Sequence, residues 1–159
     1  MYATNYGGTS RFSLYRVGQD GVGNRDLQIS GRMPSWSPDG SKIAYAASED
    51  GGFFDIYTAS TDGSDRRRLT ETIENEFALV WSPDGSKIAY AVQASDGIRV
   101  INAEGSNATR VLVLSNVSVG APTRSPDGRQ IAFNSTLHRG DRATDPFGQY
   151  GIYKMSADG

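Results

Sequence analysis

The chain has 159 residues, with 16 Lys plus Arg against 18 Asp plus Glu, one His and no Cys. That length suits about one domain, the near-neutral balance excludes a nucleic-acid binder built on a basic stripe, and the lack of Cys excludes disulfides, thiol nucleophiles and Cys-ligated metals. No apolar run exceeds five residues, as at 77–81, so no membrane span is expected, while 37% hydrophobic residues are enough for a packed core. The first residues, 1–8, show neither a basic region nor an apolar one, so no signal peptide is expected within them.

In chain order, a first and partial unit covers 1–30. It contains Leu14-Tyr15-Arg16-Val17-Gly18-Gln19-Asp20-Gly21, a strand closed by a turn, and then a shorter apolar element at 27–30. The second unit, 31–72, predicts four strands, A to D, over 34–37, 42–47, 54–60 and 66–70. Between A and B, Ser37-Pro38-Asp39-Gly40 is turn chemistry: Pro presets φ and Gly takes the positive φ. Strand B, Lys42-Ile43-Ala44-Tyr45-Ala46, alternates and is rich in β-formers. Arg66, Arg67 and Arg68 on the outer strand read as a solvated rim that discourages strand addition.

The third unit, 75–116, restates the second. Trp36-Ser37-Pro38-Asp39-Gly40-Ser41-Lys42-Ile43-Ala44-Tyr45-Ala46 recurs residue for residue from Trp81 to Ala91, and in looser form from Arg124 to Phe133, at spacings of 45 and 43 residues. The fourth unit, 118–159, stops at Asp158-Gly159, after a strand C within the element Gly151-Ile152-Tyr153-Lys154-Met155-Ser156-Ala157-Asp158-Gly159. No segment shows a capped 3.6-residue apolar period, so no helix is expected. Repetition at this period with four short strands per unit is the signature of propeller blades, each needing neighbours to bury its two faces.

The pattern of Trp-Ser-Pro-Asp-Gly, Ile-Ala-Tyr, Ile-Tyr, Asp-Gly-Ser and Arg-Leu-Thr resembles the WD40-like (PD40) repeat of the TolB β-propeller family. The resemblance spans nearly the whole chain. The same repeat occurs in propeller domains of prolyl-oligopeptidase-like and tricorn-type serine peptidases. Departures are Arg124 in place of Trp, Glu104-Gly105 in place of Asp-Gly, and a long strand B to strand C connection in the last unit. The resemblance implies an all-β propeller of four-stranded antiparallel blades, with ~3.5–4 blades in this chain, short of a ring of about four to eight. Aligning Tyr2 with Tyr45 gives an expected strand count of three, four, four and three. The first unit then lacks strand A and the last lacks strand D. The incomplete ring is finished by a second copy, by further chain of a longer protein, or by closure on itself. Completion by two copies is not simple, because the two partial units overlap in strands B and C.

Function is expected at irregular positions of such a scaffold. Eighteen residues separate Phe133 from Ile152, against ten between Tyr45 and Ile56 and seven between Tyr90 and Ile98. This stretch offers His138, Arg139, Asp141, Arg142, Asp145, Phe147 and Tyr150 as a candidate binding loop. Arg124 is a candidate channel or junction residue. Trp36 and Trp81 recur with the blade, which points to inter-blade packing before a ligand platform. The turn aspartates are expected to bind their own backbone and not a metal. No catalytic motif, metal set or cofactor is expected. The resemblance implies a non-enzymatic protein-binding scaffold, periplasmic or extracellular, and the incomplete ring adds an expectation of self-association as a homodimer. The alternative is the accessory propeller of a serine peptidase whose catalytic domain lies elsewhere.

Overall fold

The computed structural model describes residues 2–4, 12–49, 51–93, 97–112, 119–136 and 151–158, and all regular structure among them is β-strand. Blade 1 holds β1 (Tyr2–Thr4), β2 (Ser13–Arg16) and β3 (Arg25–Ser30). Blade 2 holds β4 (Arg32–Trp36), β5 (Lys42–Ala47), β6 (Asp55–Ser60) and β7 (Arg67–Arg68). Blade 3 holds β8 (Glu76–Trp81), β9 (Lys87–Val92), β10 (Gly97–Asn102) and β11 (Thr109–Leu112). Blade 4 holds β12 (Val119–Arg124), β13 (Gln130–Ser135) and β14 (Gly151–Ser156). Each blade is an antiparallel meander in chain order, with three, four, four and three strands. The register is the same from blade to blade: Tyr2 faces Tyr15, Tyr45 faces Tyr57 and Phe133 faces Tyr153.

The alternation in strand B explains how blades stack. Ile43, Tyr45 and Ala47 join Leu14, Leu27 and Ile29 in a core between blades 1 and 2. Ala44, from the opposite face of β5, lies in the core between blades 2 and 3 with Trp81, Ile88 and Tyr90. Ala89 in turn packs with Val119, Ile131 and Phe133 between blades 3 and 4. Strand B therefore turns its large side chains to the preceding blade and its alanines to the following one, where large residues of that blade fill the space. Among the described residues no such core joins blade 1 to blade 4, and the stack is an open arc.

Two local devices repeat. In the Ser-Pro-Asp-Gly turn, Ser82 Oγ donates to Asp84 Oδ1 at 2.5 Å and accepts the Lys87 backbone N–H at 2.9 Å, while Asp84 Oδ1 accepts the Ser86 backbone N–H at 3.0 Å. Ser37 and Asp39 make the same set, and Ser125 and Asp127 the corresponding one. The second device is a bulge in the inner strand. Register shifts fall at 32–35, 77–80 and 120–123, and Met33, Ala78 and Ala121 take φ of 53°, 51° and 45°. The bulge lengthens strand A: β4 starts at Arg32, two residues before the expected 34. The outer strand is shorter than the expected 66–70, because only 67 and 68 keep ladder register.

Candidate interaction surfaces

The predicted loop residues His138, Arg139, Asp141, Arg142, Asp145, Phe147 and Tyr150 lie outside the described residues. Arg124 ends β12 at the place that Trp36 and Trp81 hold in the preceding blades. It lines a cleft between blades 3 and 4 with Pro83, Asp84 and Asp158. Its Nη1 donates to the Gly128 carbonyl at 3.4 Å, whereas Nε and Nη2 are shielded from solvent with no hydrogen-bond partner among the described residues. Burial lowers its pKa, and the charges of Asp84 and Asp158 oppose that shift.

The two tryptophans sit in different environments. Trp81 is buried, and its indole N–H donates to the Ser35 carbonyl of blade 2 at 3.2 Å. Trp36 is 40% exposed, because blade 1 brings no inner strand to cover it. Met33, at 44% exposure, lies on the same inner strand. At the other end of the arc Ile152 of β14 is 86% exposed, whereas its equivalents Ile56 and Ile98 are buried against a following blade. The arc thus ends in apolar groups at both termini.

The turn aspartates are committed to their own turns. The Ser37 hydroxyl and the Ser41 amide and hydroxyl hold the Asp39 carboxyl down at about 2, and the Ser82 and Ser86 groups do the same for Asp84. Each carboxylate accepts from donors of its own turn, which holds it in the charged form.

The arginine triplet is exposed, and two of its three side chains also make defined contacts. Arg66 Nη2 donates to the Gln28 carbonyl at 2.9 Å and Nε to the Gly63 carbonyl at 3.0 Å, clipping blade 2 to blade 1. Arg68 pairs with buried Asp55 at 2.6 Å. Arg67 remains exposed.

Asp55 opens onto a buried polar network between blades 2 and 3 that sequence reasoning missed. Thr72 N–H donates to Asp55 at 3.0 Å, the Thr70 hydroxyl donates to Glu76, and Arg99 pairs with Glu74 and lies 3.6 Å from Glu76. Glu76 is fully buried. Burial, and secondarily the charge of Asp55, push its carboxyl up to about 7, against the opposing pull of Thr70 and Arg99. The repeat gave no sign of it. Glu76 and Asp55 align with Gly31 and Gly97 in the neighbouring units, so these carboxylates belong to one interface only.

Comparisons with known proteins agree on the fold. The sequence matches the family described as the TolB beta propeller domain over residues 1–159. A putative TolB from Agrobacterium tumefaciens has a similar structure at 24% identity and a TM-score of 0.74, over 95% of this chain and 55% of that one. TolB from Acinetobacter baumannii is similar at 23% identity and a TM-score of 0.72, over 91% of this chain and 35% of that one. The β-propeller domain of the Trilobed protease from Pyrococcus furiosus, described as having an open velcro topology, aligns at 17% identity and a TM-score of 0.64 over 96% of this chain and 48% of that one. The chain therefore spans about half, or less, of the propeller proteins that it resembles. Among curated protein sequences none matches it. No helix among the described residues is long and apolar enough to cross a membrane.

Proposed function

The chain belongs to the TolB β-propeller domain family, and from that premise we propose that it is a non-enzymatic scaffold for protein interaction in the bacterial periplasm. Its open arc is completed by a second copy. One observation supports this reading most: the same tryptophan is buried where a preceding inner strand covers it and exposed where none does. Burying an aromatic face of this kind contributes roughly 1.5–3 kcal/mol, so the Trp36 face is an association surface. A second copy is the occupant of matching length, because one chain covers 55% of the putative TolB from Agrobacterium tumefaciens. Closed two-fold assembly covers the outward faces of both end blades, each of which keeps three strands among the described residues.

The two tryptophans make the reading testable. A Trp81→Phe variant leaves Trp36 as the one tryptophan of the chain. Acrylamide quenching of its fluorescence is expected to fall as protein concentration rises. Quenching that stays constant with concentration contradicts the association surface.

A second reading is the accessory propeller of a serine peptidase. The likeness to the Trilobed protease propeller over 96% of the chain favours it. A hydrolase domain encoded in the same reading frame would select this reading over the first.

A further inference from the structure

A cleft of about 560 Å3 opens between blades 1 and 2, beside the 48–54 connection between β5 and β6. Four aromatic rings line it, those of Phe12, Tyr45, Phe54 and Tyr57, together with Arg32 and Ser48. Tyr45 and Tyr57 stack at 5.7 Å. Phe12 is 40% exposed at the opening. The size is that of a small-ligand site, which spans roughly 300–1,000 Å3.

The next interface shows what normally fills this place. The Gly31 N–H donates to the Phe12 carbonyl at 2.8 Å, as the Glu76 N–H does to the Phe54 carbonyl at 2.8 Å, so Gly31 and Glu76 are structural equivalents. Tyr57 and Arg99 are equivalent in the same way, each following strand-C position being aligned by the repeat. Between blades 2 and 3 a guanidinium therefore meets two carboxylates, Glu74 and Glu76. Between blades 1 and 2 the guanidinium is Arg32, from the position equivalent to Phe77, and Gly31 stands in place of the buried carboxylate with the Tyr45 ring against it.

Arg32 is left with an unmet need. Its guanidinium carbon lies 3.5 Å from the centroid of the Phe54 ring, so one flat face is stacked. Stacking leaves the edge of the fork as the donor surface, the edge that pairs with a carboxylate through two parallel hydrogen bonds. Its Nε on that fork is shielded from solvent with no hydrogen-bond partner among the described residues, and so is the Ser48 Oγ. Burial lowers the Arg32 pKa. Arg66, which also lines the cleft, is occupied by the carbonyls of Leu27 and Gln28. Glu49 stands at the rim, exposed to solvent.

We propose that this cleft binds a carboxylate joined to an aromatic or large apolar group, presented by a partner protein at its C-terminal residue or at an acidic side chain beside an apolar one. The carboxylate takes the Arg32 edge and the Ser48 hydroxyl, and the apolar group packs among the four rings. This rests on the scaffold reading above and names the partner chemistry for one of its surfaces.

The test is a nitrogen-15 NMR titration of the whole chain with three probes: N-acetylphenylalanine, its amide, and acetyl-Phe-Glu-amide. The acids are expected to shift the amides of 31–32 and 48–54, with the neutral amide binding at least about tenfold more weakly. The stronger of the two acids identifies a terminal or a side-chain carboxylate as the source. Arg32→Met is expected to weaken the acids about tenfold and leave the neutral amide unchanged. Ser48→Ala, a milder change, is expected to weaken the acids by a smaller factor and serves if the first variant fails to fold. Equal binding of acid and amide, shifts confined to other residues, no binding of any probe, or variants that bind the acids like the parent would overturn the proposal. Concentration-dependent protection of Trp36 without probe binding would remove this site and leave the scaffold reading standing. Probe binding without that protection would do the reverse for self-association.

Discussion

Trp81 and Trp36 hold one position in consecutive repeats, and their exposures of 6% and 40% follow from what the preceding blade supplies. Trp81→Ala opens a cavity in the core between blades 2 and 3 and is expected to cost about 3–5 kcal/mol in urea unfolding. Trp36→Ala, in the dissociated chain, is expected to cost less than about 1 kcal/mol. Equal losses would mean that Trp36 is buried within a single chain. Glu76 gives a second prediction. Its carboxyl moves from 4.5 in the unfolded chain to about 7 when folded. The folded state then binds the proton more firmly, so this stability is fully present below pH 4.5 and lost as pH rises through about 7. Glu76→Gln is expected to flatten the fall in urea midpoint over that window; a variant curve parallel to that of the parent would contradict the assignment. The tryptophans were legible in the sequence because they recur with the repeat. Glu76 was not, because a residue present at one interface alone looks like a surface charge until its neighbours are known.

At the scale of the element, the repeated turn and the repeated bulge act in opposite directions. The turn is a local network whose hydroxyl satisfies the first rung of strand B. Ser82 is buried, and Ser82→Ala is expected to cost about 1–2 kcal/mol, because the Lys87 amide loses its acceptor. The bulge places Ala78 at φ 51°, and its N–H reaches the Met33 sulfur at 3.4 Å. A left-handed alanine costs about 1–2 kcal/mol, partly offset in any exchange by the greater chain entropy of glycine. Ala78→Gly is therefore expected to stabilise the chain by about 0.5–1 kcal/mol in urea unfolding, and a loss of stability would show that the bulge is unstrained. The turn could be read from Ser-Pro-Asp-Gly, since Pro and Gly mark their own dihedrals. The bulge left no such mark. Met33, Ala78 and Ala121 share no residue type that favours positive φ.

At the scale of the molecule, repetition at about 43 residues with Trp and Asp-Gly signatures was enough to foresee stacked blades, and the alternation Ile-Ala-Tyr-Ala fits a strand packed on both faces. The aligned Tyr2 and Tyr45 foresaw a first blade without its inner strand, and the observed register of Tyr2 with Tyr15 matches that of Tyr45 with Tyr57. The Arg32 cleft was not legible, since it exists through a glycine and a tyrosine set against their counterparts one blade on. What the open arc means for assembly rests on Trp36 and Ile152 toward its two ends. The solution mass from light scattering during size exclusion tests this most directly. Twice the chain mass of 17.1 kDa, falling to one chain on Trp36→Glu, is the predicted result. A single-chain mass at every concentration, with a cooperative thermal transition, would contradict it.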